Sequence, residues 1–137
     1  MSYTSESIYK GQLRTEATHL KSGAIITTDA PTDNRGKGES FSPTDMVATA
    51  LGSCILTIMG IKAMDADIDM EGAKAEVKKV MASDPRRISK VEVKISMPAK
   101  PFSDKEKKIL ERAAHACPVA KSLSDQLEED IQIIWPL

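Results

Sequence analysis

A chain of 137 residues is the size of one domain, and 41% hydrophobic with 28% charged residues is ordinary for a globular protein. A formal net charge of -1 supplies no broad field for nucleic acid or an anionic membrane, so neither is expected as a partner. The stretch Met1-Ser2-Tyr3-Thr4-Ser5-Glu6 has neither the basic region nor the apolar run of a secretory signal, which predicts a protein that stays in a reducing cytosol. Two cysteines there are seldom a structural staple, because a disulfide in that compartment is more often transient and catalytic.

In chain order, Ile8 to Arg14, Glu16 to Leu20 and the β-branched run Ile25-Ile26-Thr27-Thr28 read as strands, with a turn at Lys21-Ser22-Gly23. Residues 29–40 (DAPTDNRGKGES) carry Pro, Asn and two Gly with little apolar content and form a loop. Ser42-Pro43-Thr44-Asp45 marks a helix start: Ser42 is the N-cap, Pro43 fills the first helical position and Asp45 meets the positive end of the dipole. The helix should run to about Met64. Its uncharged stretch, residues 46–61, is shorter than the ~20 residues of a membrane span and is diluted by Thr, Ser and Gly, so a helix buried in protein is expected. Being apolar around nearly its whole circumference, it is expected to be surrounded by other elements, and in a chain this short a second subunit could bury some of that surface.

Ala73 to Met81 and Ile88 to Met97 read as strands, the second alternating Val91, Val93, Ile95 against Glu92, Lys94, Ser96, with a turn at Asp84-Pro85-Arg86-Arg87. Ser103 caps a second helix ending near Cys117-Pro118, and a short helix to about Leu127 precedes a last strand, Ile131 to Trp135. A single α+β domain over residues 1–137 is the expected class.

Cys54 lies more than two turns into the long helix, beyond the reach of its dipole, and alone reads as a small core hydrophobe. Cys117 precedes Pro118 and is placed to cap the next helix, where free N–H groups lower a thiol pKa, so local physics predicts it to be the more acidic of the two. The cysteines could still be two unrelated core residues. His115 stands two residues from Cys117, a spacing that points them apart on one helix. It could assist that thiol, but reads better as an exposed histidine; His19 has no evident partner. No C-x-x-C or H-x-x-x-H spacing suggests a metal. Gly36-Lys37-Gly38 lacks the text of a phosphate loop and reads as loop flexibility.

Two segments resemble known signatures. Phe41-Ser42-Pro43-Thr44-Asp45-Met46-Val47-Ala48-Thr49-Ala50-Leu51-Gly52-Ser53-Cys54 resembles the central-helix signature of the OsmC/Ohr family, and Ala116-Cys117-Pro118-Val119-Ala120-Lys121-Ser122-Leu123 its second-cysteine signature. The resemblance implies an OsmC-like fold, antiparallel strands around a long buried central helix, in an intertwined homodimer whose active sites draw on both subunits. It further implies an antioxidant peroxidase that reduces apolar organic hydroperoxides in preference to hydrogen peroxide. Cys54 would be peroxidatic and Cys117 resolving, joined in a redox-active disulfide that a dithiol or lipoyl group reduces. No metal or bound cofactor is implied. Arg14 matches the family's arginine, which supplies positive charge to the thiolate. The family's glutamate after the helix-start proline, which holds that arginine, is replaced here by Thr44, leaving Asp45 and Glu39 as candidate substitutes. A carboxylate held against Arg14 would favour the enzyme, whereas an Arg14 turned to solvent would favour the alternative, a non-catalytic OsmC-like protein that binds a small ligand or senses oxidation.

Overall fold

The structure, a computed structural model, describes residues 2–136 and divides into two compact units, the first ending at Met46 and the second starting at Val47. In the first unit β1 (Ser5–Gly11), β2 (Arg14–His19) and β3 (Ile25–Asp29) form an antiparallel meander. The expected strand to Arg14 ends sooner: Gln12 and Leu13 take φ of 54° and 63°, so Arg14 opens β2 instead of closing β1. Two left-handed residues match the twist of a tight hairpin, which is usually written Asn-Gly. Neither Gln nor Leu carries that signal. The second turn falls where expected, with Gly23 at φ 79° and its N–H donating to the His19 carbonyl at 2.7 Å.

After β3 the chain makes a short 3-10 turn, Thr32–Asn34, and doubles back. Thr28 and Phe41 form an isolated parallel bridge, and the Asp29 N–H donates to the Phe41 carbonyl at 3.0 Å. Gly36 is fixed by this fold-back, since a Cβ there would stand 1.8 Å from the Ala30 carbonyl oxygen. Close backbone approach accounts for this glycine more specifically than loop flexibility does.

The long helix, α1, is Pro43–Asp65, and Ser42 caps it as expected: the Asp45 N–H donates to Ser42 Oγ, and the Ser42 N–H donates back to Asp45 Oδ2, both at 3.0 Å. At 23 residues it exceeds the uncharged run on which a membrane span was set aside, and by length and composition it could cross a bilayer. Its packing is the better argument for a protein interior. Leu51, Ile55 and Met59 are fully buried, together with Val91, Val93 and Ile95 of the neighbouring sheet and Leu110. Each such side chain contributes on the order of 1.5–3 kcal/mol by leaving water. Gly52 permits the close crossing, because a Cβ on it would lie 2.7 Å from Val77 Cγ1. The helix is not buried all round in the single chain: Ile61 is 49% and Met64 79% exposed.

The second unit's sheet is ordered β4 (Lys74–Ala82), β5 (Arg87–Ser96), β6 (Glu128–Ile134). β4 and β5 are antiparallel, but β6 runs parallel to β5, which corrects the expectation of antiparallel strands throughout. The segment between β5 and β6 carries α2 (Asp104–Ala114) and α3 (Pro118–Ser122), and a crossover of that kind returns the chain in the same direction. Ser103 and Glu106 form a capping box on α2. The third helix stops at Ser122, short of the expected Leu127, and the last strand begins at Glu128. Trp135 Nε1 donates to Glu111 Oε1 at 3.2 Å and its ring meets Phe102 edge-on, tying the chain beyond β6 to α2.

Candidate functional site

The helix α1 and the junction between α2 and α3 bring the two cysteines together within the second unit. Both are free thiols: Cys54 is half-buried, Cys117 is 1% exposed, and the two lie close enough for Cys54 to act on the titration of Cys117. Cys117 is the N-cap of α3, as expected, but its side chain makes no capping hydrogen bond. Burial pushes the Cys117 thiol up from its usual pKa, the contact with Cys54 adds to the rise, and the N–H groups of Ala120 and Val119 oppose it without overcoming it. The expectation of an acidic Cys117 is therefore corrected. Local chain geometry promised help from the helix terminus, whereas desolvation by the surrounding core decides the direction. A neutral, buried thiol held against a second, more accessible sulfur suits a group that reacts after its partner does.

In the first unit Arg14 and Asp29 are direct cross-strand partners on β2 and β3. Arg14 Nε donates to Asp29 Oδ1 at 2.6 Å and Nη2 donates to Oδ2 at 2.8 Å, a two-point clamp; Nη2 also donates to Glu39 Oε1 at 2.7 Å. The Glu39 N–H donates to Asp29 Oδ2 at 3.1 Å, so the loop that doubles back closes the cluster. The Asp29 side chain is fully buried, Arg14 is 32% exposed and Glu39 65%. The Arg14 guanidinium holds the Asp29 carboxyl below its usual pKa against the opposing effect of desolvation, and the two carboxylates raise that of Arg14. Arg14 is thus held by carboxylates and not turned to solvent.

Of the candidate substitutes for the missing glutamate, Glu39 reaches Arg14, while Asp45 closes the helix cap and Thr44 Oγ1 hydrogen-bonds Ser42 Oγ at 3.1 Å. Asp29 was missed altogether. The sequence pattern places it at the start of a loop, yet a hairpin folded about Lys21-Ser22-Gly23 sets residue 29 opposite residue 14, and that register is the available signal. His115 is exposed at the C-cap of α2, and His19 Nδ1 pairs with Ser22 Oγ at 2.6 Å. No cluster of three or more His, Cys, Asp or Glu able to hold a metal occurs among the described residues.

The model of the family described as OsmC-like protein matches residues 36–131, a span that contains both cysteines. The chain belongs to the OsmC-like family. Among solved structures, this OsmC-like protein is similar to one from Psychrobacter arcticus 273-4, described as a candidate osmotic stress induced and detoxification response protein. Identity to it is 51%, with 98% of this chain and 97% of that chain covered and a TM-score of 0.94. Fold likeness extends to an OsmC-like protein from Mycoplasma pneumoniae, with 16% identity, coverage of 100% and 99%, and a TM-score of 0.82. It extends also to an organic hydroperoxide resistance protein OsmC from Legionella pneumophila, with 13% identity, 96% of each chain covered and a TM-score of 0.74. No curated protein gives a significant match. Proteins described as organic hydroperoxide resistance proteins thus share this chain's fold.

Proposed function

We propose that this OsmC-like protein is a thiol-dependent peroxidase for organic hydroperoxides, with Cys54 peroxidatic and Cys117 resolving. The observation that carries this reading is the pair of free thiols brought close together, one half-buried and one enclosed. In the reaction, the Cys54 thiolate attacks one oxygen of the peroxide, the O–O bond breaks, and the alcohol leaves after taking up a proton. Cys54 becomes a sulfenic acid. The Cys117 sulfur then displaces hydroxide, which leaves as water once protonated, and the resulting disulfide is reduced by two electrons from an external dithiol or lipoyl group. A compartment that regenerates thiols, the cytosol, fits that cycle.

Arg14 is the cation assigned to the thiolate and peroxide, and its carboxylate clamp supports that role, because a guanidinium fixed at Nε and Nη2 is preorganised. The reading takes residues 1–137 as a single OsmC-like domain and the active unit as a homodimer. Support for the domain comes from the near-complete mutual coverage with the Psychrobacter structure. Support for the dimer comes from apolar side chains left exposed on each unit: Ile8, Tyr9, Ile25 and Ile26 on the meander, Ile61 and Met64 on α1. The test is turnover of cumene hydroperoxide with excess dihydrolipoate. The wild type should consume peroxide through many cycles and Cys54→Ser should not, whereas wild-type turnover no faster than that of Cys54→Ser would refute the assignment.

A further inference from the structure

Helix α2 and the C-terminal part of α1 border an open cavity of about 670 Å3 with an apolar floor and a basic rim. Ile109 and Ala113 belong to the floor; Lys62, Lys105, Lys108 and Arg112 form the rim, and no acidic residue lines it among the described residues. On α2 the spacing 105, 108, 112 puts three cations on one face, where like charges repel one another and weaken the helix. Two of the carboxylates of α2 are engaged elsewhere, Glu106 in the capping box and Glu111 on Trp135 Nε1, and Asp104, four residues before Lys108, forms no ion pair with it. None of the four rim cations forms an ion pair among the described residues, although Lys74, Lys78, Lys90, Lys94 and Lys100 all do. All four are exposed, so water screens their mutual repulsion, but together they leave a net positive rim around an apolar hollow that an anion would complement.

We propose that this cavity binds an amphiphilic carboxylate, a single unbranched acyl chain whose head is taken by the rim cations and whose tail lies on Ile109 and Ala113. Both halves of the lining are needed: a small anion would leave the floor wet, and an uncharged chain would leave the cations unmatched. Lysine stems can flank the tail while their ammonium groups meet the head, and Arg112 can grip a carboxylate at two points. The proposal is independent of what the thiols do, and its ligand is not a substrate of the peroxidase reading.

Calorimetric titration of the full chain with sodium decanoate, decanol and sodium acetate tests it. Decanoate should bind saturably, one per chain, with acetate and decanol each weaker by about tenfold or more. The double variant Lys108→Gln/Arg112→Gln should weaken decanoate by about tenfold or more, whereas Lys74→Gln, outside the cavity lining, should bind it as tightly as the wild type. Decanol binding as well as decanoate, acetate binding as well as decanoate, or an unaffected double variant would each overturn the proposal. Absence of decanoate binding would do so too, including the case in which a second copy covers the cavity.

Discussion

Asp29 and Glu39 hold the same guanidinium but differ in what they can do. Asp29 is fully buried, opposite Arg14 in the sheet register, and makes two of the three bonds; Glu39 is mostly exposed and makes one through a side chain on a loop. The two carboxylates together outweigh the charge of Arg14, with Lys37 the further cation acting on Asp29, so release of Glu39 would make the cluster more positive and better able to favour a thiolate. Asp29→Asn should therefore slow hydroperoxide consumption by ~10-fold or more, while Glu39→Gln should leave the rate at or above wild type, as measured by stopped-flow thiol oxidation. Equal losses in the two variants would mean that both carboxylates merely position the arginine. The lowered pKa of Asp29 also fixes a sign: its ionised form stabilises the fold above the ordinary carboxylate value, and that contribution is lost as pH falls through the depressed one. Urea unfolding from pH 7 down to about pH 3 should show the wild type losing stability more steeply than Asp29→Asn. Arg14, Cys54, Cys117 and Glu39 were all legible as candidates, the first three through their resemblance to family signatures. Asp29 was not, because its role depends on strand register and not on neighbouring residues.

At the scale of elements, hydrophobic alternation and caps were readable wherever they dominate. Ser42 and Ser103 cap their helices as expected, and Val91, Val93 and Ile95 face the core. What escaped were features set by tertiary context: the hairpin at Gln12 and Leu13, the parallel pairing of β6, and the burial that raises the Cys117 pKa. Two glycines of α1 give a paired test of packing against propensity. Gly52 faces Val77 with no room for a methyl, whereas a methyl on Gly60 meets nothing within 4 Å. Gly60→Ala should be neutral or stabilise by up to about 1 kcal/mol, while Gly52→Ala should destabilise by about 1–3 kcal/mol, read from chemical denaturation. Truncating the α2 cap in Ser103→Ala should cost about 1 kcal/mol in the same assay.

For the whole molecule, the exposed apolar side chains of the meander and of α1 are better explained by a covered surface than by a soluble monomer. Light scattering should return twice the mass of one chain, and Met64→Glu should shift that mass toward the monomer. The family and the α+β class were legible from two short signatures because both contain chemistry and packing in adjacent residues, the capped apolar helix and the Cys-Pro junction. The proposed dimer rests, on the sequence side, on the family resemblance and on the excess of apolar surface on the helix. The central claim is that Cys54 and Cys117 work as a redox pair. Titrating the thiols of the reduced protein before and after one equivalent of cumene hydroperoxide, with mass spectrometry of the peptides, tests it most directly. Rapid loss of both thiols into an intramolecular Cys54–Cys117 disulfide, abolished in Cys54→Ser, is the expected result; two thiols that survive the peroxide would contradict the redox pairing.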